Sequence, residues 1–165
     1  MRVRALAPED DLDEVGRIYA ESWKQAYRDF LPEAYLEKLT FDRWSAMLRA
    51  DPSSTLALFV QDEMMGAATV CFSREPGREG YGEIVGIYIR PGHTGCGLGR
   101  RLMEDVLAHL RENGCENVCL WAFSLNTRAE RFYEHMGFHP TGRRQHETYG
   151  GESLELCEYA RSLTE

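Results

Sequence analysis

The sequence predicts a mixed α/β fold, and three observations support this prediction. Helix-like and strand-like hydrophobic patterns follow one another along all 165 residues. Some neighbouring strand patterns are joined by very short connections, as in antiparallel hairpins, whereas an amphipathic helix separates others, as in parallel crossovers. No repeat, low-complexity tract or linker divides the chain. We therefore expect a single domain over residues 1–165.

The first third of the chain predicts one short strand and three helices. Residues 2–7 alternate between apolar and other side chains, which is typical of a strand. Asp10 or Asp11 can cap a first helix, in which apolar residues recur at intervals of three and four. A second helix is expected to start at Pro32, because proline suits the first turn of a helix. A third helix is predicted over residues 41–49.

The middle of the chain predicts three strands. Residues 55–60 and 65–72 are apolar runs with a short polar connection between them, which is the pattern of a hairpin. Residues 83–89 are nearly all apolar, as expected for a central strand that is covered on both faces. Gly86 in the middle of this strand indicates a bulge or a close backbone approach.

The last part of the chain predicts two helices, each followed by strand patterns. Apolar residues trace one face of a helix over residues 98–113, which ends at an Asn-Gly stop signal. A strand over residues 118–123 follows, and Asn126 can cap the next helix. The last two strands are expected over residues 138–141 and 153–159.

The composition predicts a protein of the cytoplasm. The formal net charge of −8 argues against broad binding to nucleic acids or to anionic membranes. No apolar run reaches the ~20 residues that a membrane span needs, and no secretory signal pattern follows Met1. The five cysteines, an odd number, are expected to be reduced thiols. We therefore expect neither a nucleic acid nor a membrane as partner.

One cysteine spacing resembles a zinc site. Cys115 and Cys119, followed by His135 and His139, have the pair spacings of a Cys2His2 finger. The segment between the two pairs is longer than the usual ~12 residues and carries its own strand and helix patterns. We therefore expect buried thiols and surface histidines here, and no metal.

A glycine-rich turn between the predicted central strand and the next helix carries the chemistry. Residues 90–101 contain four glycines, which let the backbone point its amides at one spot. The helix N-terminus adds about half a positive charge. The expected ligand is a phosphate or pyrophosphate, next to Arg100 and Arg101. The alternative is a plain strand-to-helix turn in which glycine only relieves strain.

Two common phosphate-binding loops do not fit this turn. A Walker loop needs Lys and then Ser or Thr after its last glycine, whereas Leu98 and Gly99 follow Gly97. A dinucleotide-binding loop needs the spacing Gly-x-Gly-x-x-Gly, whereas Gly95, Gly97 and Gly99 are each two residues apart and Arg100 occupies the third glycine position. The sequence thus supports neither kinase-like nor nicotinamide chemistry.

Two blocks of the sequence resemble the GNAT superfamily of acetyl-CoA-dependent N-acetyltransferases. Residues 87–99 are similar to the family's fourth strand and pyrophosphate loop, whose signature is Arg/Gln-x-x-Gly-x-Gly/Ala. Residues 126–138 are similar to its second block, Asn-x-x-Ala-x-x-Phe-Tyr-x-x-x-Gly-Phe. Thr94 departs from the pattern, because the family usually has Arg or Gln at this position.

The resemblance implies a fold and an activity. The GNAT-like fold has a central, mostly antiparallel sheet of six to seven strands, splayed at strands 4 and 5 and flanked by about four to five helices. The implied activity is transfer of an acetyl group from acetyl-CoA, as co-substrate, to a primary amine of a small molecule or peptide by direct attack. A non-catalytic sensor of acyl-CoA with the same fold is the second hypothesis. A homodimer is compatible with both.

The resemblance also implies, position by position, which residues bind the coenzyme. Backbone groups of the fourth strand would pair with the pantetheine arm, and the amides of the glycine loop would hold the pyrophosphate. Asn126 would hydrogen-bond near the pantetheine, although a helix cap alone explains it equally well. The implied cofactor-binding residues are Ile87, Tyr88, Ile89, Gly95, Cys96, Gly97, Leu98, Gly99, Arg100, Arg101 and Asn126.

Two residues are candidates for catalysis. By resemblance, Tyr133 would protonate the departing thiolate of CoA, and its alternative role is packing in a helix. Glu83 would be the general base that deprotonates the amine. We expect Glu83 to share a strand face with Val85, Ile87 and Ile89, so that its pKa is raised. A structural carboxylate, with a water relay as the base, is the alternative.

Two groups of residues bear on the acceptor. In the family the acceptor wall comes from the region of Trp23, Tyr27, Tyr35 and Trp44, although core packing explains helical aromatics too. Acidic residues on the predicted first helices would attract a cationic amine or a basic peptide end; the alternative is that they keep the helices soluble. These residues are Asp10, Asp11, Asp13, Glu14, Glu21, Asp29, Glu33 and Glu37.

Overall fold

A computed structural model describes residues 1–73 and 75–164 and contains one sheet with helices on both faces. The strands are β1 (Arg2–Ala5), β2 (Thr55–Val60), β3 (Glu63–Phe72), β4 (Tyr81–Ile89), β5 (Asn117–Phe123), β6 (His139–Tyr149) and β7 (Glu152–Ser162). The helices are α1 (Leu12–Tyr27), α2 (Glu33–Glu37), α3 (Ser45–Ala50), α4 (Leu98–Glu112) and α5 (Thr127–His135). The 3₁₀ helices span Phe41–Arg43 and Pro52–Ser54.

The sheet has seven strands in the order β1-β2-β3-β4-β5-β7-β6. All neighbours are antiparallel except β4 and β5, which are parallel and are connected by α4. The predicted mixed α/β fold with a mostly antiparallel sheet of six to seven strands is thus confirmed.

Capping side chains fix two of the helix starts where the sequence predicts them. The Asp11 Oδ1 accepts a hydrogen bond from the Glu14 amide at 3.1 Å, at the start of α1. The Asn126 Oδ1 accepts one from the Ala129 amide at 3.2 Å, at the start of α5. Such caps satisfy amides that have no partner within the helix.

Two core clusters hold the helices on opposite faces of the sheet. Leu102, Val106 and Leu110 of α4 pack on one face together with Ile84 and Leu120. On the other face, α1 packs on β2 and β3 through a cluster of Leu12, Val15, Ile18, Tyr19, Ala57, Phe59 and Ala67. A third cluster joins the end of α1 and α2 to β5 and β7, and it contains Tyr27, Leu36, Phe123, Leu154 and Leu156. The end of α1 therefore lies across the end of β5.

Several predicted elements differ in extent from the observed ones. The helix expected over residues 41–49 is divided into a 3₁₀ turn and α3, with Trp44 between them. The hairpin turn is Gln61-Asp62, and both residues have positive φ, so β3 starts two residues before the predicted strand. The strand expected over residues 138–141 continues as β6 to Tyr149. Most side chains of β6 are exposed, so the strand has no apolar periodicity to predict it.

The predicted irregularity at Gly86 is confirmed as a bulge. Gly86 pairs with Thr69 and Ile84 pairs with Val70, so Val85 is an extra residue in β4. The bulge reverses the alternation of side chains along the strand. The side chains of Ile87 and Ile89 therefore lie on the α4 face, as Ile84 does.

This reversal corrects two expectations about β4. Glu83 lies on the opposite face from Ile84, Ile87 and Ile89, together with Tyr88, so the expectation that Glu83 shares its face with the two isoleucines is wrong. The expectation of a strand covered on both faces also fails, because Val85 is 52% exposed. The end of β4 borders open space, which is the candidate site described below.

The lengths of the helices and the positions of the metal-ligating side chains bear on membrane and metal binding. Among the described residues, no helix is long and apolar enough to cross a membrane. Within the same residues, no group of three or more His, Cys, Asp or Glu side chains is arranged to hold a metal ion. Cys115 and Cys119 are buried, whereas His135 and His139 are exposed. The two pairs of the apparent zinc-finger spacing thus lie in different surroundings.

Candidate active site

The candidate site is a cleft between β4 and β5. The two strands pair from Tyr81 and Asn117 as far as Ile84 and Leu120, and then they separate. The splay predicted at strands 4 and 5 is therefore confirmed. A cleft of about 980 Å³ opens beyond this point, bordered by α1, α5 and the glycine loop. A smaller cavity of about 360 Å³ over β6 and β7 contains none of the predicted site residues.

The glycine loop forms one rim of the cleft. Gly95 and Gly97 both have a φ of +82°, a conformation that other L-residues rarely adopt. A Cβ atom at either position would meet nothing within 4 Å, so the backbone conformation, not crowding, accounts for glycine here. Gly97 is the N-cap of α4 and supplies no side-chain cap. The first amides of α4 therefore face outwards without a side-chain acceptor, unlike those of α1 and α5.

Most of the predicted cofactor-binding residues lie on the surface of the cleft. Those that line it are Ile87, Tyr88, Ile89, Gly95, Gly97, Gly99, Arg100 and Asn126. Cys96, Leu98 and Arg101 are not among the residues that line it. Leu98 packs against the α4 core and Arg101 forms an ion pair with Asp105. The predicted contacts of Cys96 and Leu98 with the pyrophosphate are made by backbone amides, and they remain predictions.

Asn126 can cap α5 and face the cleft at once. Its Oδ1 accepts the Ala129 amide, which leaves its Nδ2 group as a donor. The residue lines the cleft. The two predicted roles of Asn126 are therefore compatible.

Tyr133 projects from α5 towards the cleft. Its ring lies 5.6 Å from the ring of Phe132, 6.0 Å from that of Phe138 and 6.1 Å from that of Tyr159. Burial raises the pKa of Tyr133 above its ordinary value, and Tyr88 and Tyr159 raise it further. The phenol therefore keeps its proton at neutral pH. None of the described residues forms a hydrogen bond with its hydroxyl, which is left to serve a ligand.

Glu83 lines the same cleft from the start of β4. It is half-buried, and burial raises its pKa above the ordinary value of a glutamate; the negative charges of Glu158 and Glu75 act in the same direction. Glu158 itself is buried and accepts hydrogen bonds from Arg78, Thr141 and Arg143. Glu83 is thus a carboxylate whose affinity for a proton is increased by its surroundings.

Aromatic side chains surround the end of the cleft between α1 and β6. The ring of Trp23 lies 4.9 Å from that of Tyr27 and 5.7 Å from that of Tyr149. Trp23, Tyr27 and Trp44 line the cleft, whereas Tyr35 does not. The first two also pack with the third core cluster, so they serve both the core and the cleft wall. Arg43 reaches this end too, and nothing in its sequence context singles it out.

Comparison with known proteins shows which family has this arrangement. Residues 17–138 match the model of the Acetyltransferase (GNAT) family. The chain belongs to the GNAT acetyltransferase family. The resemblance in the two sequence blocks is thereby confirmed.

Relatives of this GNAT acetyltransferase support the assignment. An uncharacterized N-acetyltransferase of Archaeoglobus fulgidus is 32% identical over 133 residues, which are 77% of this chain and 86% of that protein. A mycothiol acetyltransferase of Beutenbergia cavernae is 37% identical over 100 residues, which are 61% of this chain but 32% of that protein.

Solved structures share the fold of this GNAT protein. A putative phosphinothricin N-acetyltransferase aligns with a TM-score of 0.78 at 19% identity, covering 99% of both chains. The PaiA N-acetyltransferase of Thermoplasma acidophilum, solved in complex with coenzyme A, aligns with a TM-score of 0.75 at 19% identity, covering 98% of both chains. At these identities the likeness concerns the fold alone.

In this GNAT protein, most of the eight acidic residues that were expected to attract a cationic acceptor lie outside the cleft. Of the eight, only Asp29 lines the cleft. The hydrogen bond from Arg4 lowers the pKa of Asp10 to about 2, with a further contribution from the Ala7 amide. Arginines pair with five of the acidic residues, in the ion pairs Arg4–Asp10, Arg17–Asp11, Arg17–Glu14, Arg28–Asp29, Arg49–Asp13 and Arg90–Glu14. These pairs stabilise the contacts of α1 and offer little net charge to steer a cation.

Proposed function

We propose that the protein is an N-acetyltransferase that moves the acetyl group of acetyl-CoA to a primary amine of a small molecule or peptide by direct attack. One observation carries the proposal: a single cleft joins the uncapped N-terminus of α4 to Tyr133 and Glu83. An anion-binding rim, a proton donor and a proton acceptor are the groups that this transfer needs. The coenzyme A in the PaiA structure supports the choice of co-substrate.

The cleft fits the long, polar shape of CoA. The amides at the start of α4 would hold the pyrophosphate, because they point outwards and the helix dipole favours an anion. Beyond Ile84, the edge of β4 that faces β5 has no strand partner among the described residues, so the pantetheine amides can add to it like a strand. The Ile89 carbonyl already accepts a hydrogen bond from the Ser22 Oγ at 3.3 Å and has a second lone pair for a ligand.

The chemistry follows from the two titratable side chains. Glu83 would take a proton from the ammonium group, directly or through a water molecule, and the free amine would attack the thioester carbonyl carbon. As the new C–N bond forms, the C–S bond breaks and the nitrogen loses its second proton to solvent. Tyr133 would give its proton to the departing sulfur and recover one from solvent. The products are the acetylated amine and CoA with a free thiol.

The names of the relatives leave the acceptor open. Mycothiol acetyltransferases and an N-alpha-acetyltransferase 40 of Saccharomyces cerevisiae are both among them.

As further parts of the proposal, we expect one domain over residues 1–165 that acts in the cytoplasm as a monomer or homodimer. We expect neither a nucleic acid nor a membrane as partner.

An acceptor screen tests the proposal. Amines, amino acids, peptides and aminoglycosides would be offered with acetyl-CoA, and free thiol release would be followed. We expect at least one class to release thiol far above the rate without acceptor, and mass spectrometry to find one acetyl group on its nitrogen. Binding of CoA with no transfer to any acceptor would point instead to the sensor hypothesis.

A further inference from the structure

Arg43 presents an unneutralised positive charge at the aromatic end of the cleft. Its guanidinium carbon lies 5.9 Å from the ring of Trp23, 6.0 Å from that of Tyr35 and 5.9 Å from that of Trp44. Among residues 1–73 and 75–164, no carboxylate lies within ion-pair distance of it. The aromatic faces thus hold the guanidinium in place without neutralising it.

Neighbouring arginines on the same side of the molecule, unlike Arg43, form ion pairs with carboxylates. Arg17 pairs with Glu14, Arg49 pairs with Asp13, and Arg90 pairs with Glu14. Arg43 alone in this group lines the cleft, and it alone lacks a carboxylate among the described residues. Arg128 also lines the cleft without a carboxylate in ion-pair distance among the described residues, but it lies at the start of α5. Arg43 is therefore the unpaired guanidinium at the aromatic end, where it is left to bind an anion from solution.

Arg43 is close to the part of β4 where the transfer would occur. The hydroxyl of Tyr88 lies 3.5 Å from that of Tyr27, whose ring lies 4.9 Å from the ring of Trp23, and the guanidinium of Arg43 contacts that same indole ring. Two adjoining aromatic side chains, Trp23 and Tyr27, therefore connect Arg43 with Tyr88. A small acceptor can therefore have its amine near β4 and an anionic group at Arg43.

From this geometry we infer that Arg43 binds a carboxylate of the acceptor, and that the acceptor is a free amino acid or a similarly small amine carrying a carboxylate. The inference rests on the proposed function and names the substrate class of the same site. The planar guanidinium matches a carboxylate with two parallel hydrogen bonds. Trp23, Trp44 and Tyr149 would cover the apolar part of the acceptor.

The remaining charges of the cleft are consistent with a zwitterion. Asp29, Glu83, Glu147, Arg100 and Arg128 line it together with Arg43, so both signs of charge are available. The ammonium group would lie near Glu83, which can remove its proton. This replaces the expectation of a cationic amine or a basic peptide end, since five of the acidic residues behind that expectation are paired with arginine.

Matched acceptors test the inference without altering the protein. The standard L-amino acids would be compared with their amides, which keep the amine and the side chain but lose the anionic group. We expect the best amino acid to exceed its amide in kcat/KM by about tenfold to a hundredfold, as a charge-assisted hydrogen-bonded pair allows. Dipeptides with the same N-terminal residue separate a free amino acid from a peptide terminus, and equal use of the dipeptide would overturn the size limit.

Variants of Arg43 test the role of the side chain. Arg43→Met should raise the KM for the amino acid at least tenfold and leave the KM for the amide unchanged. The KM of Arg43→Lys for the amino acid should lie between those of Arg43→Met and the wild type. Arg111→Met is the matched control, because Arg111 is exposed on α4, lies outside the cleft and has no carboxylate in ion-pair distance among the described residues. It should behave as the wild type. Melting temperatures with and without CoA report on folding.

The outcomes separate this inference from the proposed function. Equal kcat/KM values for amino acids and their amides would overturn the inference and leave the acetyltransferase proposal intact. An equal fall of kcat/KM for both acceptors in Arg43→Met would do the same. Failure to acetylate any amine would overturn both. A preference for the acid that disappears only in the Arg43 variants would support both.

Discussion

Ile84 of β4 pairs with Leu120 of β5, and it is at this pair that the two strands start to diverge. Both side chains are buried, 3% and 1% exposed, in the core beneath α4. The closed end of the cleft is therefore fixed by core packing, and the open end is left to the loop, α1 and α5. A rigid base with polar groups along its rim suits the positioning of a long substrate.

Tyr133→Phe tests the general acid. The substitution keeps the ring contacts with Phe132, Phe138 and Tyr159 and removes only the hydroxyl. We expect turnover to fall about tenfold to a thousandfold, because the thiolate loses its proton donor. The shift of the melting temperature by CoA should stay unchanged.

Tyr81→Phe is the control for this substitution. Tyr81 starts β4 outside the cleft, so loss of its hydroxyl should leave turnover as in the wild type. If Tyr133→Phe weakened CoA binding and turnover to the same extent, the side chain would have a packing role instead.

Glu83→Gln tests the general base through pH–rate profiles. In the wild type we expect activity to fall on the acidic side as Glu83 takes up a proton, with a midpoint above 4.5, its ordinary value. The glutamine variant should have lower activity and no such acidic limb. Glu63→Gln, at the exposed start of β3, should keep the wild-type profile. An acidic limb that persists in Glu83→Gln would remove Glu83 as the base.

Glu83→Gln should also change how the free energy of unfolding depends on pH. Because the pKa of Glu83 is raised in the folded state, the folded protein binds its proton more tightly than the unfolded chain. The free energy of unfolding therefore falls as pH rises from about 4.5 through the raised pKa. At pH 7, Glu83→Gln should melt at a higher temperature than the wild type, and the difference should disappear in acid. A lower melting temperature at pH 7 would contradict the raised pKa.

Glu158→Gln tests the ionic cluster that joins β7 to β6 and to the loop before β4. Glu158 is 1% exposed and pairs with Arg78 and Arg143. Breaking a buried pair leaves a charge without its counter-charge, which costs about 3 kcal/mol. We expect the melting temperature to fall by roughly 6–12 °C.

Glu155→Gln is the matched control on the same strand. Its partner Arg144 is largely exposed, and such pairs contribute less than about 1 kcal/mol. A similar fall of the melting temperature in the two variants would show that burial of Glu158 adds nothing to the strength of its ion pairs.

Local signals predicted much of the fold. Asp11 and Asn126 cap their helices through contacts that span only three residues, and Gly86 marks the bulge in β4. These features depend on residues close in sequence, so the sequence pattern contains them. The order of the strands is consistent with the same patterns because short connections and crossovers constrain it.

Non-local contacts explain what the sequence could not predict. The bulge at Val85 reverses the face of Glu83, and only the pairing with β3 shows this. The pairing of Asp13 with Arg49 connects residues 36 positions apart. Arg43 is noticeable only because its neighbours are neutralised, which no spacing in the sequence reveals.

Thermal unfolding with CoA tests most directly the central claim that the cleft between β4 and β5 is the acyl-CoA site. At about 100 times its dissociation constant, a ligand stabilises the fold by ~2.7 kcal/mol, which should raise the melting temperature by roughly 5–11 °C. Gly97→Ala should lose most of this shift, whereas Gly114→Ala should keep it, because both glycines have positive φ in open space but only Gly97 lines the cleft. No shift in the wild type at millimolar CoA would contradict the account.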